Sequence, residues 1–286
     1  MKKNHKHHSK KHKKALPHLK TTIKNMKHVF LAFTIYALII IFWTAFFPQL
    51  SNLFFQDTDL GLYDKPFWKD FLVNANASIV DFLAITIVLY FLEASKNSKE
   101  KANELFDDLV NYSIHSSVEM NIRKIQIIRK LNEMNIFKID IERINIDGLM
   151  IKNLTFKDSQ ISGLSLRNCN IENLNLINCT IQGMDITNAK IKKSTFEHCI
   201  LKNLKAENAN ICGNSFRYSN LENAKFINAN MKSVDLRNCD IKNADFSNAS
   251  LRSVNLIESI NLNKEVLKLA NDTKYMVTHS FTELGN

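Results

Sequence analysis

The side chains in this sequence best able to do chemistry are nine histidines and five cysteines. Six of the histidines, His5, His7, His8, His12, His18 and His28, fall in the first 28 residues. Imidazole is a common ligand for zinc or nickel, so His5, His7, His8 and His12 could hold a metal weakly. The cysteines are Cys169, Cys179, Cys199, Cys212 and Cys239, and none forms a CxxC pair of zinc-finger spacing. All but Cys212 recur at one register of a ten-residue repeat, which marks them as small buried residues in a reducing cytoplasm. Glu197 and His198 are adjacent but have no third member to complete a nucleophile and base set. The expectation is a protein that is no enzyme, with no catalytic, cofactor-binding or metal site.

The same first 28 residues carry ten Lys, no Arg and no acid, which accounts for the formal net charge of +10; the rest is close to neutral. With few apolar residues this tail cannot bury enough surface to fold alone, so 1–28 reads as disordered and cytoplasmic. Beside the metal reading stands a polybasic arm drawn to anionic lipid, at about 1 kcal/mol per Lys near the surface. No specific nucleic acid is expected as a partner.

Two apolar stretches must position that tail. From Val29 to Phe47 run 19 residues with few polar members; at ~1.5 Å per residue they span roughly the ~30 Å core of a bilayer. A second stretch, 71–92, is almost free of polarity from Phe82 onward. Between them, 48–70 holds two Lys and four Asp, whereas Lys27 precedes and Lys96, Lys99 and Lys101 follow. That asymmetry places both termini in the cytoplasm, with the chain crossing the inner membrane twice. Trp43, Tyr63, Trp68 and Tyr90 sit near the expected interfaces. Asp81 is the outlying residue. At mid-membrane an ionised carboxylate costs about 2.5 to 3.5 kcal/mol, which suggests an ion pathway or helix pairing. Alternatively the helix begins near Ala77 and Asp81 lies at the outer interface, or it is protonated.

From residue 139 onward the period is five. Units centred on Ile141, Ile146, Ile151, Phe156 and so on to Leu256 number 24, and every centre is apolar. Two residues before each centre stand small residues such as Cys169, Cys179, Ala189, Cys199 and Ala209, alternating with Leu164, Leu174, Met184 and Leu204. Two residues after it, 16 of 24 positions are Gly or Asn, which tolerate the positive φ of a type II turn. A helix cannot satisfy this pattern and an ordinary strand would alternate with period two. A coil of short flat sides can.

Units such as Ala244-Asp245-Phe246-Ser247-Asn248 and Ala224-Lys225-Phe226-Ile227-Asn228 resemble the pentapeptide-repeat family over about residues 136–258. The resemblance implies a mainly β fold: a right-handed quadrilateral β-helix of about six coils, a rod ~29 Å long at ~4.8 Å per coil. Centres four units apart then stack, placing Phe156, Leu176, Phe196 and Phe216 in one ladder. Cys179 and Cys199 would also stack within disulfide reach, ~4.4 to 6.8 Å between Cα atoms, or remain buried thiols. Solenoids need caps. Residues 93–135 form a helical linker and N-terminal cap with Val118, Ile122, Ile125, Ile128 and Leu131 at helical spacing. Within 259–286, a short helix from Asn263 to Thr273, with Val266, Leu267 and Ala270 as its apolar face, closes the other end. The order of parts, with the stretch from Phe67 to Asn74 and the run Arg129-Lys130-Leu131-Asn132, is similar to bacterial two-helix membrane proteins of this family. That likeness implies an architecture and no activity.

Soluble family members resemble B-form DNA and bind topoisomerases, which requires a strongly acidic rod; residues 136–258 hold 16 Lys plus Arg against 13 Asp plus Glu. Basic side chains gather instead on two neighbouring sides, Lys152, Lys190, Lys192, Lys232 and Arg252 on one and Lys157, Arg217 and Arg237 on the next. They form either a docking face for an acidic cytoplasmic partner or a solvated charged surface. The expected function is a membrane-tethered scaffold. The alternative is a small oligomeric channel or effector in stress or phage defence, with Asp81 in the conduit and the repeats as sensor.

Overall fold

The computed structural model describes residues 27–54 and 65–278. The candidate metal ligands His5, His7, His8 and His12, the rest of the basic tail to residue 26, and Tyr63 lie outside the described residues. The chain divides into two compact units, Met1–Lys101 and Ala102–Asn286.

In the first unit the expected span 29–47 is helical as far as Ala45. Helix α1 runs Lys27–Ala45, and α2 (Phe47–Phe54) leaves at a bend of 78°. Pro48 has no N–H to donate to Thr44 and its ring excludes that carbonyl, so the helix cannot continue in line. The supposed loop 48–70 therefore begins with a helix. The second expected span, 71–92, lies inside a longer helix: α3 runs unbroken from Lys65 to Ser113, 49 residues. It is the one described helix long and apolar enough by itself to cross a membrane; α1 passes that test only jointly with α2. Asn76 Nδ2 joins the helices by donating to Thr44 Oγ1 at 2.7 Å, and Phe33 stacks on Phe82 with centroids 4.6 Å apart.

In the second unit the end of α3 contributes Ala102, Leu105 and Leu109 to a core shared with α4 (Val118–Glu133). Ser117 caps α4, accepting the Met120 N–H at 3.3 Å. The helix ends with Asn135 at φ 62°, where Ile136 N–H returns to Leu131 O and Asn135 N–H to Asn132 O, a paired C-terminal motif that needs a left-handed residue. The face it buries differs from the expected stripe: Val118 and Ile122 are exposed, while Asn121, Lys124, Ile125, Ile127, Ile128 and Leu131 are buried.

The solenoid follows. Strands β1 (Ile144–Asn145), β2 (Met150–Lys157), β3 (Gln160–Ser162), β4 (Leu164–Ser165), β5 (Asn170–Ile177), β6 (Thr180–Gln182), β7 (Lys190–Lys192) and β8 (Thr195–Glu197) pair only in parallel. The register never varies: Ile144 lies beside Leu164, Ile151 beside Ile171 and Ile161 beside Ile181, always every twentieth position. Single bridges carry the same step onward as far as Asp240 and Ile260. That step, at five per unit, makes four sides per turn, so equivalent centres stack in four columns. All the expected centres are buried except Ile141, half-buried in the first turn. Phe196 lies flat on Phe216 at 4.5 Å and Phe226 on Phe246 at 5.3 Å.

Each corner is made by the residue two after the centre, and from Gly148 to Glu258 every one has positive φ. Gly and Asn accept this easily; Asp158, Lys193, His198, Tyr218, Ser233, Ser253 and Glu258 are held there by the ladder. Ser233→Asn should therefore raise stability by about 0.5 to 1 kcal/mol, read as a higher denaturation midpoint.

The C-terminal end departs from expectation in extent. Asn263 caps helix α5 by accepting the Glu265 N–H at 2.9 Å, but α5 covers only Lys264–Leu267. The chain then returns to the ladder, pairing Asp272 with Ser250 and Val277 with Asn255, two positions beyond the regular step.

Candidate interaction faces

Side chains just before and after each centre point outward, so every face of the coil displays two columns. On the face centred on Ile151, Ile171, Ile191 and Met231, one column reads Lys152, Glu172, Lys192, Cys212, Lys232, Arg252, and its companion contains Lys190. On the next, centred on Phe156 and Phe216, stand Lys157, Glu197, Arg217 and Arg237. The eight cations singled out by sequence thus share two adjoining faces but differ in state. Lys152 is tied to Glu172 at 3.5 Å, which also holds Lys193 at 2.9 Å. The Lys193 hydrogen bond keeps the Glu172 carboxyl below its usual range. Arg237 grips Asp235 at 2.6 Å, and Arg217 reaches the same carboxylate at 4.0 Å. Burial works to raise the Asp235 carboxyl, but the Arg237 hydrogen bonds hold it down. The Arg252 guanidinium lies 5.8 Å over Tyr275. Lys157, Lys190, Lys192 and Lys232 are exposed, and among the described residues none of them is in an ion pair. The arginines and Lys152 are therefore engaged within the surface, and the other four candidate lysines carry no ion pair among the described residues.

Beside them the ring of His198 stacks on Tyr218 at 4.7 Å, one turn apart at the same corner, and Arg217 donates to the Tyr218 hydroxyl at 3.2 Å. Glu197 accepts from Ser215 at 2.7 Å, so the Glu197 and His198 side chains have separate partners.

The cysteines are free thiols. Sequence reasoning saw their small size but missed their bonding. Ser159, Cys179, Cys199, Ser219, Cys239 and Ser259 occupy one column, each donating to a carbonyl of the preceding turn. Recurrence of Ser and Cys at every fourth unit was the available signal. Burial pushes the Cys239 thiol up to about 12, and hydrogen bonding with Cys179 together with burial pushes Cys199 up.

A second group missed from sequence is Lys124, buried in the cap. Its ammonium donates to His115 O, to Asn121 Oδ1 at 3.1 Å and to Asn145 O at 2.9 Å.

Asp81 sits ten positions after Phe71 and eleven before Leu92, and the helix around it begins at Lys65, not near Ala77. Its side chain is exposed on the first unit, with Thr86 buried nearby on the same helix.

The family model described as a pentapeptide repeat region matches residues 138–205 and 189–264. The solenoid is a pentapeptide-repeat region. Solved structures are similar to the chain at low identity. The fluoroquinolone resistance protein QnrB1 is 11% identical, covering 48% of this chain and 92% of its own, with a TM-score of 0.25. Rfr23 from the cyanobacterium Cyanothece 51142 is 16% identical over 54% and 94%, with a TM-score of 0.21. A pentapeptide-repeat protein of the Arabidopsis thaliana thylakoid lumen is 20% identical over 35% and 63%, with a TM-score of 0.13. Scores of this size carry no argument about partners. No curated protein sequence matches the chain significantly.

Proposed function

We propose that the protein is a non-enzymatic scaffold of the inner membrane, crossing it twice with both termini in the cytoplasm, whose right-handed solenoid of about six coils offers its basic faces to an acidic protein there. The observation that carries this reading is the group of exposed lysines, Lys157, Lys190, Lys192 and Lys232, left unpaired on a ladder whose arginines are already engaged. A rigid array of unpaired charge steers and orients an oppositely charged partner at little conformational cost. The basic tail adds attraction to anionic lipid. Replacing Lys190 and Lys192 with Glu should remove the partners recovered from membranes by pull-down, leaving the unfolding midpoint within about 0.5 kcal/mol of wild type. Unchanged recovery would refute the scaffold reading.

The central position of Asp81 favours a second reading, an oligomeric channel or effector with the repeats as sensor. Ion flux through liposomes carrying the intact protein should then fall on Asp81→Leu. Absence of flux in both proteins removes this reading.

A further inference from the structure

The four columns of the solenoid do not end alike. At the C-terminal end Ile260 continues the column of Asp240, Asp272 that of Ser250 and Val277 that of Asn255, whereas the column running through Asp185, Lys205, Lys225 and Asp245 has no further bridge among the described residues. One turn earlier the equivalent edge is fully paired. Asn223 N–H donates to Lys242 O at 2.8 Å, Phe226 N–H to Asp245 O at 2.7 Å, and Ala224 O accepts from Asp245 N–H at 2.9 Å. At the last turn the corresponding groups, Asn243 N–H, Ala244 O and Phe246 N–H, have no protein partner among the described residues. They face a groove of about 750 Å³ between this edge and the segment carrying Lys264, Val266 and Leu269. The gap arises because the chain leaves the ladder to form α5 and rejoins it two positions out of step.

An unpaired parallel edge is a template for a strand from elsewhere, and its donors and acceptors set the register of what binds. The ladder rule demands an extended segment that gives two carbonyls three positions apart, the second residue also giving its N–H. Inward positions flanking that second residue meet the Ala244 and Phe246 levels, so the first is small and the next apolar. Outward, the second residue stacks on Asp245, whose other neighbour in the column is Lys225; a basic side chain complements that carboxylate.

We propose that this edge is a docking site for an extended peptide segment of another protein, added in parallel as a further rung and patterned small, basic, apolar. The site is separate from the lysine faces and does not depend on their role.

The probe is the acetylated, amidated hexapeptide Asn-Ala-Lys-Phe-Ile-Asn, a copy of residues 223–228, with a fluorescent label, titrated against the full chain in detergent micelles. Saturable binding is expected, with protection of the Asn243 and Phe246 amides from hydrogen exchange. N-methylation of the probe at its lysine amide, which removes the donor to Ala244 O and leaves the protein untouched, should weaken binding about tenfold. Replacing that lysine with Glu should weaken it too, and Asp245→Asn should narrow the difference between the two probes. No saturable binding, or equal binding of the N-methylated probe, would overturn the proposal. So would protection of the two amides that grows with protein concentration when no probe is present, since that assigns the edge to a second copy.

Discussion

Phe216→Ala should lower the denaturation midpoint of the solenoid by an amount equivalent to about 3 to 5 kcal/mol, the range for emptying a fully packed aromatic site. Phe216 is fully buried, stacks on Phe196 at 4.5 Å and meets the edge of Phe226 at 6.5 Å. The cavity should fall at the upper end of that range because the surrounding walls cannot collapse. Phe216 N–H is bonded to Asp235 O at 2.8 Å and Ser215 N–H to Ser194 O at 3.3 Å, so both neighbouring turns are fixed by backbone. In a solenoid each turn is stabilised through its neighbours, and the loss should spread to both. Ile177→Ala, in an outward column and partly exposed, provides the comparison and should cost far less. Urea titration followed by circular dichroism measures both, and equal midpoints would show that the aromatic columns do not hold the rod.

The second large effect is expected at the opposite end. Lys124→Met keeps the aliphatic stem but deletes the donor to His115 O, Asn121 Oδ1 and Asn145 O. Leaving several buried acceptors unpaired should cost about 2 to 4 kcal/mol at neutral pH. The cap must then loosen first, so hydrogen exchange across 118–133 should quicken before that of the central turns. Burial lowers the pKa of the Lys124 ammonium below its ordinary value of 10.5, with the Asp147 charge opposing the shift. Since the unfolded chain holds this proton more tightly than the folded one, Lys124 makes wild-type stability rise with pH in the window below 10.5. In Lys124→Met that contribution to the slope should vanish, which pH-dependent denaturation midpoints would measure.

Most of the solenoid could be read in the sequence because its repeat imposes one local rule many times. An apolar centre recurs in every unit and a corner residue with positive φ in every unit from the second onward, and the noise of any single unit averages out: Lys193, Tyr218 and Glu258 adopt the corner conformation despite their types. The helical parts lacked that redundancy. The sharp turn after Ala45 depended on one proline. The unbroken course of α3 through Ser113 depended on Ala102, Leu105 and Leu109 finding a core that only the folded cap supplies. Lys124 was invisible because a lysine on an amphipathic helix ordinarily belongs to the wet face, and only the folded arrangement brings three carbonyl-type acceptors to it. The candidate cations were named from register alone, and knowing which of them are engaged, Lys152 by Glu172 and Arg217 and Arg237 by Asp235, required knowing where those carboxylates reach.

The lengthened step near the end of the ladder, where Asp272 and Val277 join two positions late, has a consequence for self-association. A stack of identical rungs with clean termini would invite rods to join end to end into fibres. Here the final amides of two sides are met by their own returning chain, out of phase with the preceding turns, and the starting turn lies beneath α4. On those two sides the shifted step withholds the in-register edge that a second rod would need to continue the ladder.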